Sequence, residues 1–302
     1  MVMVHDCVVT TIEVRHLTKL YGTTVGAQDV SFTVYPGEVV GFLGPNGSGK
    51  TTVMRMLLGL IRPTSGEAFI FGELVNRHNH TIRSSVGYLP GILGVYKDMT
   101  VRGYLNYIAT VRGVDCTQRM KELMQRLALK ADVAISGLSK GTKQKVGVVQ
   151  ALMHDPKLLI LDEPTAGLDP IVQKEFEAII SEVRARGTSV LLSSHVMSEV
   201  EQLADRVMIL SRGRLVEANT ITALKSRIRR SLRLEFPSPM NADVFAGISG
   251  VDSVIVDGRV VECTVSGAEA PLLAVAAVHD VISVTSQEPT LEDIFLSLTE
   301  QQ

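Results

Sequence analysis

Residues 44–51 read GPNGSGKT, and this octet decides the fold. It fits the pattern G-x-x-x-x-G-K-[S/T] and stands between an apolar run, "VSFTVYPGEVVGFLG", and a helix-forming one, "KTTVMRMLLGL". A strand that enters a helix through glycines has a physical use. Successive backbone N–H groups turn inward around a phosphate, and the helix N-terminus adds positive potential. Lys50 can then reach the β- and γ-phosphates of a nucleotide, and the Thr51 hydroxyl can ligate Mg²⁺. The competing reading is a chance glycine-rich turn, and the flanking strand and helix argue against it.

A second stretch, "LLILDEP" at residues 158–164, belongs to the same chemistry. Four apolar residues deliver Asp162 and Glu163 to the carboxyl end of a buried strand, the edge at which α/β sheets bind ligands. There Asp162 would hold Mg²⁺ through water, and Glu163 would orient or deprotonate an attacking water. An Asp-Glu pair that only caps the following helix is the plainer alternative; the all-apolar strand favours the catalytic one. His195 ends a further apolar strand, "LLSSH". A lone histidine is more often structural, but this one emerges at the same sheet edge and is read as a γ-phosphate contact.

Composition narrows the rest. The 302 residues allow one large core and a second small one. With 30 basic and 32 acidic residues, net charge −2, nothing points to a polyanion-coating protein, and no nucleic-acid partner is expected. Cys7, Cys116 and Cys263 are far apart, form no CxxC pair and read as reduced cytosolic thiols. "MVMVHDCVVTT" lacks the pattern of a signal peptide, and no charge-free apolar run approaches the roughly 18 residues of a membrane helix. A soluble protein is expected. A mean hydropathy of +0.22 without tryptophan hints at surface covered by a partner.

Along the chain, "TIEVRHLTKLYG" and "VSFTVYPGEVVGFLG" alternate as strands do, residues 99–154 are mostly helical in period, and "KLLILDE", "TSVLLSSH" and "RVMILSRG" are apolar strands separated by helices. That order predicts a parallel sheet covered on both faces. The basic run "KSRIRRSLR" marks a boundary. Beyond it the pattern reads strand (231–236), helix (240–248), strand (251–257), strand (259–266), helix (268–278), strand (280–287) and an amphipathic end, "TLEDIFLSLTE". This βαββαβ order predicts a small ferredoxin-like α+β domain.

Taken together, residues 12–225 resemble the ATP-binding subunit of ABC transporters. The resemblance implies a P-loop NTPase fold with an antiparallel β subdomain and a helical subdomain. It divides the chain into an N-terminal extension (1–10), an ATP-binding domain (11–226, helical part about 92–154) and a C-terminal accessory domain (229–302). It also implies an ATP hydrolase with ATP and Mg²⁺ as cofactors. Residues Gly44, Pro45, Asn46, Gly47, Ser48, Gly49, Lys50, Thr51 and Thr52 would hold the phosphates. Tyr21 in "KLYGTT" corresponds to the residue that stacks on adenine, "LSKGT" (138–142) to the signature loop, and Asp169 in "GLDP" to a contact with the opposite subunit. In that family Ser139 and Gly141 face the nucleotide of a second copy, so the implied partners are a second copy or a paralogue and an integral membrane permease. The implied location is the cytoplasmic face of the cell membrane, through the permease.

The stretch "GYLPGILGVYKDMTVRGYL", the Lys-Gly signature and the ending "PTLEDIFLSLTE" are similar to the ABC-2 type drug and antibiotic exporter ATPases. One phosphate loop and no coiled-coil insertion separate the chain from tandem ribosome-acting and chromosome-maintenance relatives. A soluble regulatory or ribosome-associated ATPase stays as the alternative, and a binding-only subunit as a third reading. Two departures matter. Gly91 in "GYLPG" stands where the family has a glutamine or glutamate reaching the metal and water, which leaves slower hydrolysis or a substitute residue as the options. Lys140 replaces a glycine of the signature, either as solvated surface or as an extra cation near the γ-phosphate. Tyr88, Tyr96, Tyr104 and Tyr107 cluster after or near Gly91, beside Ile92, Leu93 and Val95, and Tyr96 is expected to be exposed as part of a membrane-coupling surface. The C-terminal domain is expected to regulate or strengthen dimerisation through Ile294, Phe295 and Leu298 on the last helix; the alternative is that this face packs on its own sheet.

Overall fold

A computed structural model describes residues 10–96, 98–225, 230–266, 268–287 and 290–292. Residues 1–9 of the expected extension, and Ile294, Phe295 and Leu298, lie outside them. The chain forms two compact units, Met1–Asn219 and Thr220–Gln302.

In the first unit, β1 (Ile12–Tyr21) and β2 (Thr24–Val34) pair antiparallel, turning at Gly22. The fully buried β3 (Val39–Leu43) feeds the phosphate loop and α1 (Lys50–Leu57). Then β4 (Ser65–Ile70) returns to β1 and carries the two-residue β5 (Glu73–Leu74), giving an antiparallel sheet of order β2-β1-β4-β5. A short α2 (His80–Ser84), capped by the Asn79 side chain, leads into β6 (Val86–Leu89).

The helical part follows as α3 (Val101–Arg112), α4 (Thr117–Arg126) and α5 (Lys140–Leu152). The ends of α3 are written in its sequence. The Thr100 hydroxyl accepts from the Gly103 N–H, and Gly113 closes the helix in the left-handed region. Tyr104 is 3% exposed and donates its hydroxyl to Gln150 on α5 at 2.6 Å. Tyr96 is 57% exposed, with its ring 5.7 Å from that of Tyr107. On α4, Arg126 reaches across to α6 (Pro170–Ala185), donating to Glu175 at 2.5 Å and to both oxygens of Glu182 at 2.6 and 2.8 Å. A two-oxygen grip of this kind fixes angle as well as distance.

The remaining core elements are β7 (Leu158–Asp162), β8 (Ser189–Ser193), α7 (Met197–Leu203), β9 (Arg206–Ser211) and β10 (Arg214–Thr220). They complete a six-stranded sheet of order β10-β9-β3-β8-β7-β6, parallel from β9 through β6. Every residue of β3, β7 and β8 is buried, as a sheet covered on both faces requires. Phe32 of the antiparallel sheet meets Phe42 of β3 edge-on at 5.2 Å, so the two sheets share one core. This topology places the carboxyl ends of β3, β7 and β8 side by side. The register pairs Ser193 with both Phe42 and Asp162.

The chain crosses to the second unit through α8 (Ile221–Lys225). There β11 (Arg230–Glu235), β12 (Val251–Asp257), β13 (Val260–Val265) and β14 (Ser283–Gln287) form an antiparallel sheet of order β12-β13-β11-β14, with α9 (Ala270–Val278) between β13 and β14 in sequence. The first strand lies between the third and fourth, which is the ferredoxin-like order. One expectation fails. Residues 240–248 make a single 3₁₀ turn, Ala242–Val244, not a helix. The chain there turns through Gly247 and Gly250 at φ 80° and 88°, values a helix does not admit. Phe245 still reaches the core, with its ring 5.6 Å from that of Phe236.

Candidate active site

The phosphate loop is backed by the β9–β10 turn and by strand β2. The Gly213 N–H, from the β9–β10 turn, donates to the Ser48 carbonyl at 3.0 Å, and a Cβ on Gly49 would stand 2.5 Å from the Gly26 carbonyl. Gly49 also takes φ 108°, so no other residue suits the N-cap of α1. One position on, Lys50 is buried, and its ammonium donates to the Gly44 carbonyl at 2.6 Å and that of Pro45 at 3.2 Å. Burial pushes its pKa down, while the Glu163 and Asp162 carboxylates pull it up.

Opposite the lysine, the Thr51 hydroxyl donates to Asp162 Oδ2 at 2.7 Å, joining the α1 N-terminus to the end of β7. The other oxygen, Oδ1, accepts from the Ser193 hydroxyl at 2.6 Å. A hydroxyl and a carboxylate at this spacing are hard oxygen donors suited to a small divalent cation. Among the described residues no group of three His, Cys, Asp or Glu could enclose a metal, so such an ion would take its other ligands from phosphate and water.

Glu163 follows Asp162 with φ 52°, a strained value for a residue with a side chain. Its N–H is held by Ser193 twice, at 3.1 Å by the hydroxyl and 3.2 Å by the carbonyl. The turn aims its carboxylate at His195, whose Nδ1 lies 2.6 Å from Oε2. With the proton on Nδ1, the ring donates to Glu163 and keeps Nε2 free for a ligand.

A cavity of about 350 Å³ opens between these groups, lined by Asn46 to Thr52, Gly26, Arg55, Gly91, Ile92, Asp162 and Glu163. Gly91 thus lines the same cavity as Lys50, Asp162 and Glu163. A Cβ there would lie 3.3 Å from Asp162 Oδ2, so the backbone itself faces the carboxylate. Tyr21 comes close by another route, with its ring over Gly26 and beside Thr52. It is 48% exposed and carries the Lys19 ammonium 5.2 Å from the ring centroid. Ser139 and Gly141 do not line this cavity. Ser139 caps α5, accepting from the Thr142 N–H at 3.2 Å. Gly141 is pressed so closely on the Gly167 carbonyl that a Cβ would stand 2.2 Å from it. Lys140 is exposed, its stem running beside Gly167. Asp169 caps α6, accepting from the N–H groups of Ile171 and Val172.

Three positions escape a reading of the sequence. Ser193 ties Asp162 to Glu163. Gln144, buried on α5, donates from Nε2 to the carbonyls of Glu163 at 2.9 Å and Pro164 at 3.0 Å. Arg55 lines the cavity one turn along α1 from Thr51. Only the serine has a signal in the chain, a polar residue at the end of an apolar strand beside His195.

The ABC transporter family profile matches residues 27–166. The bacitracin transport ATP-binding protein BcrA of Bacillus licheniformis is 37% identical over 298 residues, which is 96% of this chain and 97% of that protein. The chain belongs to the ABC transporter ATP-binding family. The Nod factor export ATP-binding protein I of Rhizobium sp. (strain N33) is 32% identical, covering 95% of this chain and 96% of its own length. A solved ATP-binding subunit of an ABC transporter matches 72% of the chain and 93% of itself, at TM-score 0.68 and 31% identity. The dimeric bacterial cassette MJ0796 shares the fold at TM-score 0.65 and 22% identity, covering 70% of this chain and 98% of that one. As an ABC ATPase the chain binds and hydrolyses ATP.

Proposed function

We propose that this chain is the motor subunit of an exporter, in which two cassettes clasp two ATP molecules with Mg²⁺ and drive a separate membrane permease. The observation that carries it is the unbroken set of contacts Thr51–Asp162–Ser193–Glu163–His195, with Ser139 and Gly141 away from the cavity they are expected to serve. Each side chain has one task. The loop N–H groups and Lys50 hold the β- and γ-phosphates, Tyr21 stacks on the base, and Thr51 and Asp162 hold Mg²⁺. That ion would offset phosphate charge. Glu163 takes the proton of the attacking water, and His195 keeps the carboxylate aimed while Nε2 contacts the γ-phosphate. Ser139 and Gly141 of a second copy, or of a paralogue, cover the phosphate from the other side with the N-terminus of α5.

The names of the relatives, transport and export subunits over nearly the whole chain, support the exporter reading over a regulatory ATPase. Among the described residues no helix is long and apolar enough to cross a membrane. In this reading the permease is a separate polypeptide. Its contact surface is the face bearing Tyr96 and Ile92, the latter 91% exposed. That contact would place the cassette at the cytoplasmic side of the membrane. The accessory domain is assigned to residues 229–302 and to association of the cassettes.

The decisive test mixes two inactive variants. Lys50→Ala removes the phosphate cation. Ser139→Asp keeps the cap of α5, since aspartate caps as well as serine, but sets a negative charge against the partner's phosphate. In a mixed dimer one site holds both lesions and the other holds none, so activity returns in part. Mixed dimers that are shown to form and stay inactive would refute completion by the second copy.

A further inference from the structure

The accessory unit carries a surface that its own fold leaves bare. Helix α9 contains no polar residue in nine, APLLAVAAV, yet its own unit buries one side alone, through Leu272 and Ala276. A helix apolar all round belongs in a core or an interface. Leu273 is 36% exposed and Val278 78%, with Ala274 and Ala277 open between them. The patch runs on through Ile282, 62% exposed, into Val284, 43% exposed.

Val284 lies on β14, the edge strand of the sheet. Among the described residues, β11 is its one strand neighbour, along an unbroken register from Ser231↔Gln287 to Glu235↔Ser283. The strand reads SVTSQ, without charge, proline or bulge, and residues 283–286 are all exposed. Soluble proteins blunt open edges with devices such as these, with a very short strand, or with a covering helix or loop. Among the described residues this edge carries no charge, proline or bulge, and the chain reaches it from an apolar helix.

We propose that β14 pairs antiparallel with β14 of a second copy, joining two accessory units into one eight-stranded sheet with their α9 helices side by side. A second copy is the occupant that supplies both an open strand edge and an apolar helix in the same relative position, as a two-fold contact requires. The five-residue strand centres the axis on Thr285, which faces its own copy, while Ser283 faces Gln287. The pair at the axis is uncharged and β-branched, a favourable cross-strand match. Alanines at 274 and 277 let the two helices approach closely. This contact goes beyond the nucleotide clasp: it needs no ATP, and it keeps two chains together while the clasp is open.

The test uses the full chain carrying Lys50→Ala, without nucleotide, so that the clasp makes no contribution. Sedimentation over a concentration series should show a reversible monomer–dimer equilibrium. Thr285→Lys sets two like charges face to face and should raise the dissociation constant at least tenfold. Thr285→Glu should do the same, and mixing the two variants should restore association, which misfolded proteins could not do. A Lys50→Ala chain that is monomeric throughout overturns the proposal. So does association that Thr285→Lys leaves unchanged, or that mixing fails to restore. Recovery of ATPase activity by Lys50→Ala with Ser139→Asp reports on the clasp alone, so the two readings fail separately.

Discussion

Replacing Ser193 by alanine removes one oxygen from a fully buried position and almost no volume. That oxygen donates to Asp162 Oδ1 at 2.6 Å and accepts from the Glu163 N–H at 3.1 Å. A hydrogen bond to a charged group is worth about 1.5–3 kcal/mol. The Glu163 N–H keeps the longer contact to the Ser193 carbonyl, so the second loss is smaller. The backbone of Glu163, held at φ 52° against a cost of about 1–3 kcal/mol, is then free to relax and swing its carboxylate from His195. We expect unfolding stability to fall by about 2 kcal/mol. We expect kcat for ATP to fall about 10- to 100-fold, or about 1.4–2.7 kcal/mol of barrier, with little change in nucleotide affinity. Single-turnover phosphate release, fluorescent-nucleotide binding and urea unfolding measure the three quantities. Ser193→Thr, which keeps the hydroxyl, should recover most of the rate. A kcat within twofold of the native value in a folded Ser193→Ala protein would show that Asp162 and Glu163 are oriented without this serine.

Glu163→Gln keeps shape but cannot take a proton, so turnover should nearly vanish while ATP binding persists. ATP should then trap a dimer, visible by gel filtration. Gly141→Ala should impair folding or displace the start of α5, because its methyl would stand 2.2 Å from the Gly167 carbonyl; hydrogen exchange along residues 138–145 reports this. His154 sets an acid limit. Burial and the neighbouring Arg112 hold its pKa down at about 4, against an ordinary 6.5. The unfolded chain therefore binds the extra proton first, and the stability from a neutral His154 is complete above about pH 6.5 and lost as pH falls toward 4. Partial exposure limits the effect to about 1–2 kcal/mol. His154→Gln, which still offers Arg112 an acceptor, should lose less stability than the native chain between pH 7.5 and 5 in urea titrations; parallel losses would rule the histidine out.

Much of this architecture was legible because it is local. The phosphate loop, the apolar strand before Asp162 and the strand ending at His195 each carry their own pattern, and a parallel sheet brings such strand ends to one edge. The ferredoxin-like order followed from alternation alone. Residues 240–248 misled because their spacing of apolar residues suits a helix, while glycines at 247 and 250 and the need to bury Phe245 favour a turn. Ser193 and Gln144 were not legible. Their roles come from the strand register and from the packing of α5 on the loop after β7; Gln144 leaves no mark in a single sequence, and Ser193 leaves only a polar residue at the end of an apolar strand. Gly141 was read as a phosphate donor, and the carbonyl pressed against it is a reason that only the fold supplies.

Helix α5 has a consequence of another kind. In the proposed clasp its first residues would face the nucleotide of the second copy, while Gln144, five residues after Ser139, holds the carbonyls of its own Glu163 and Pro164. Five residues of helix span about 7.5 Å, and a rigid rod of that length has almost no give. A displacement forced on one end by the neighbour's phosphate would arrive at the other as a tilt of the chain's own Glu163 carboxylate. In a two-cassette machine each site would thus sense the loading of the other, and crosstalk between them would need no messenger beyond one and a half turns of helix.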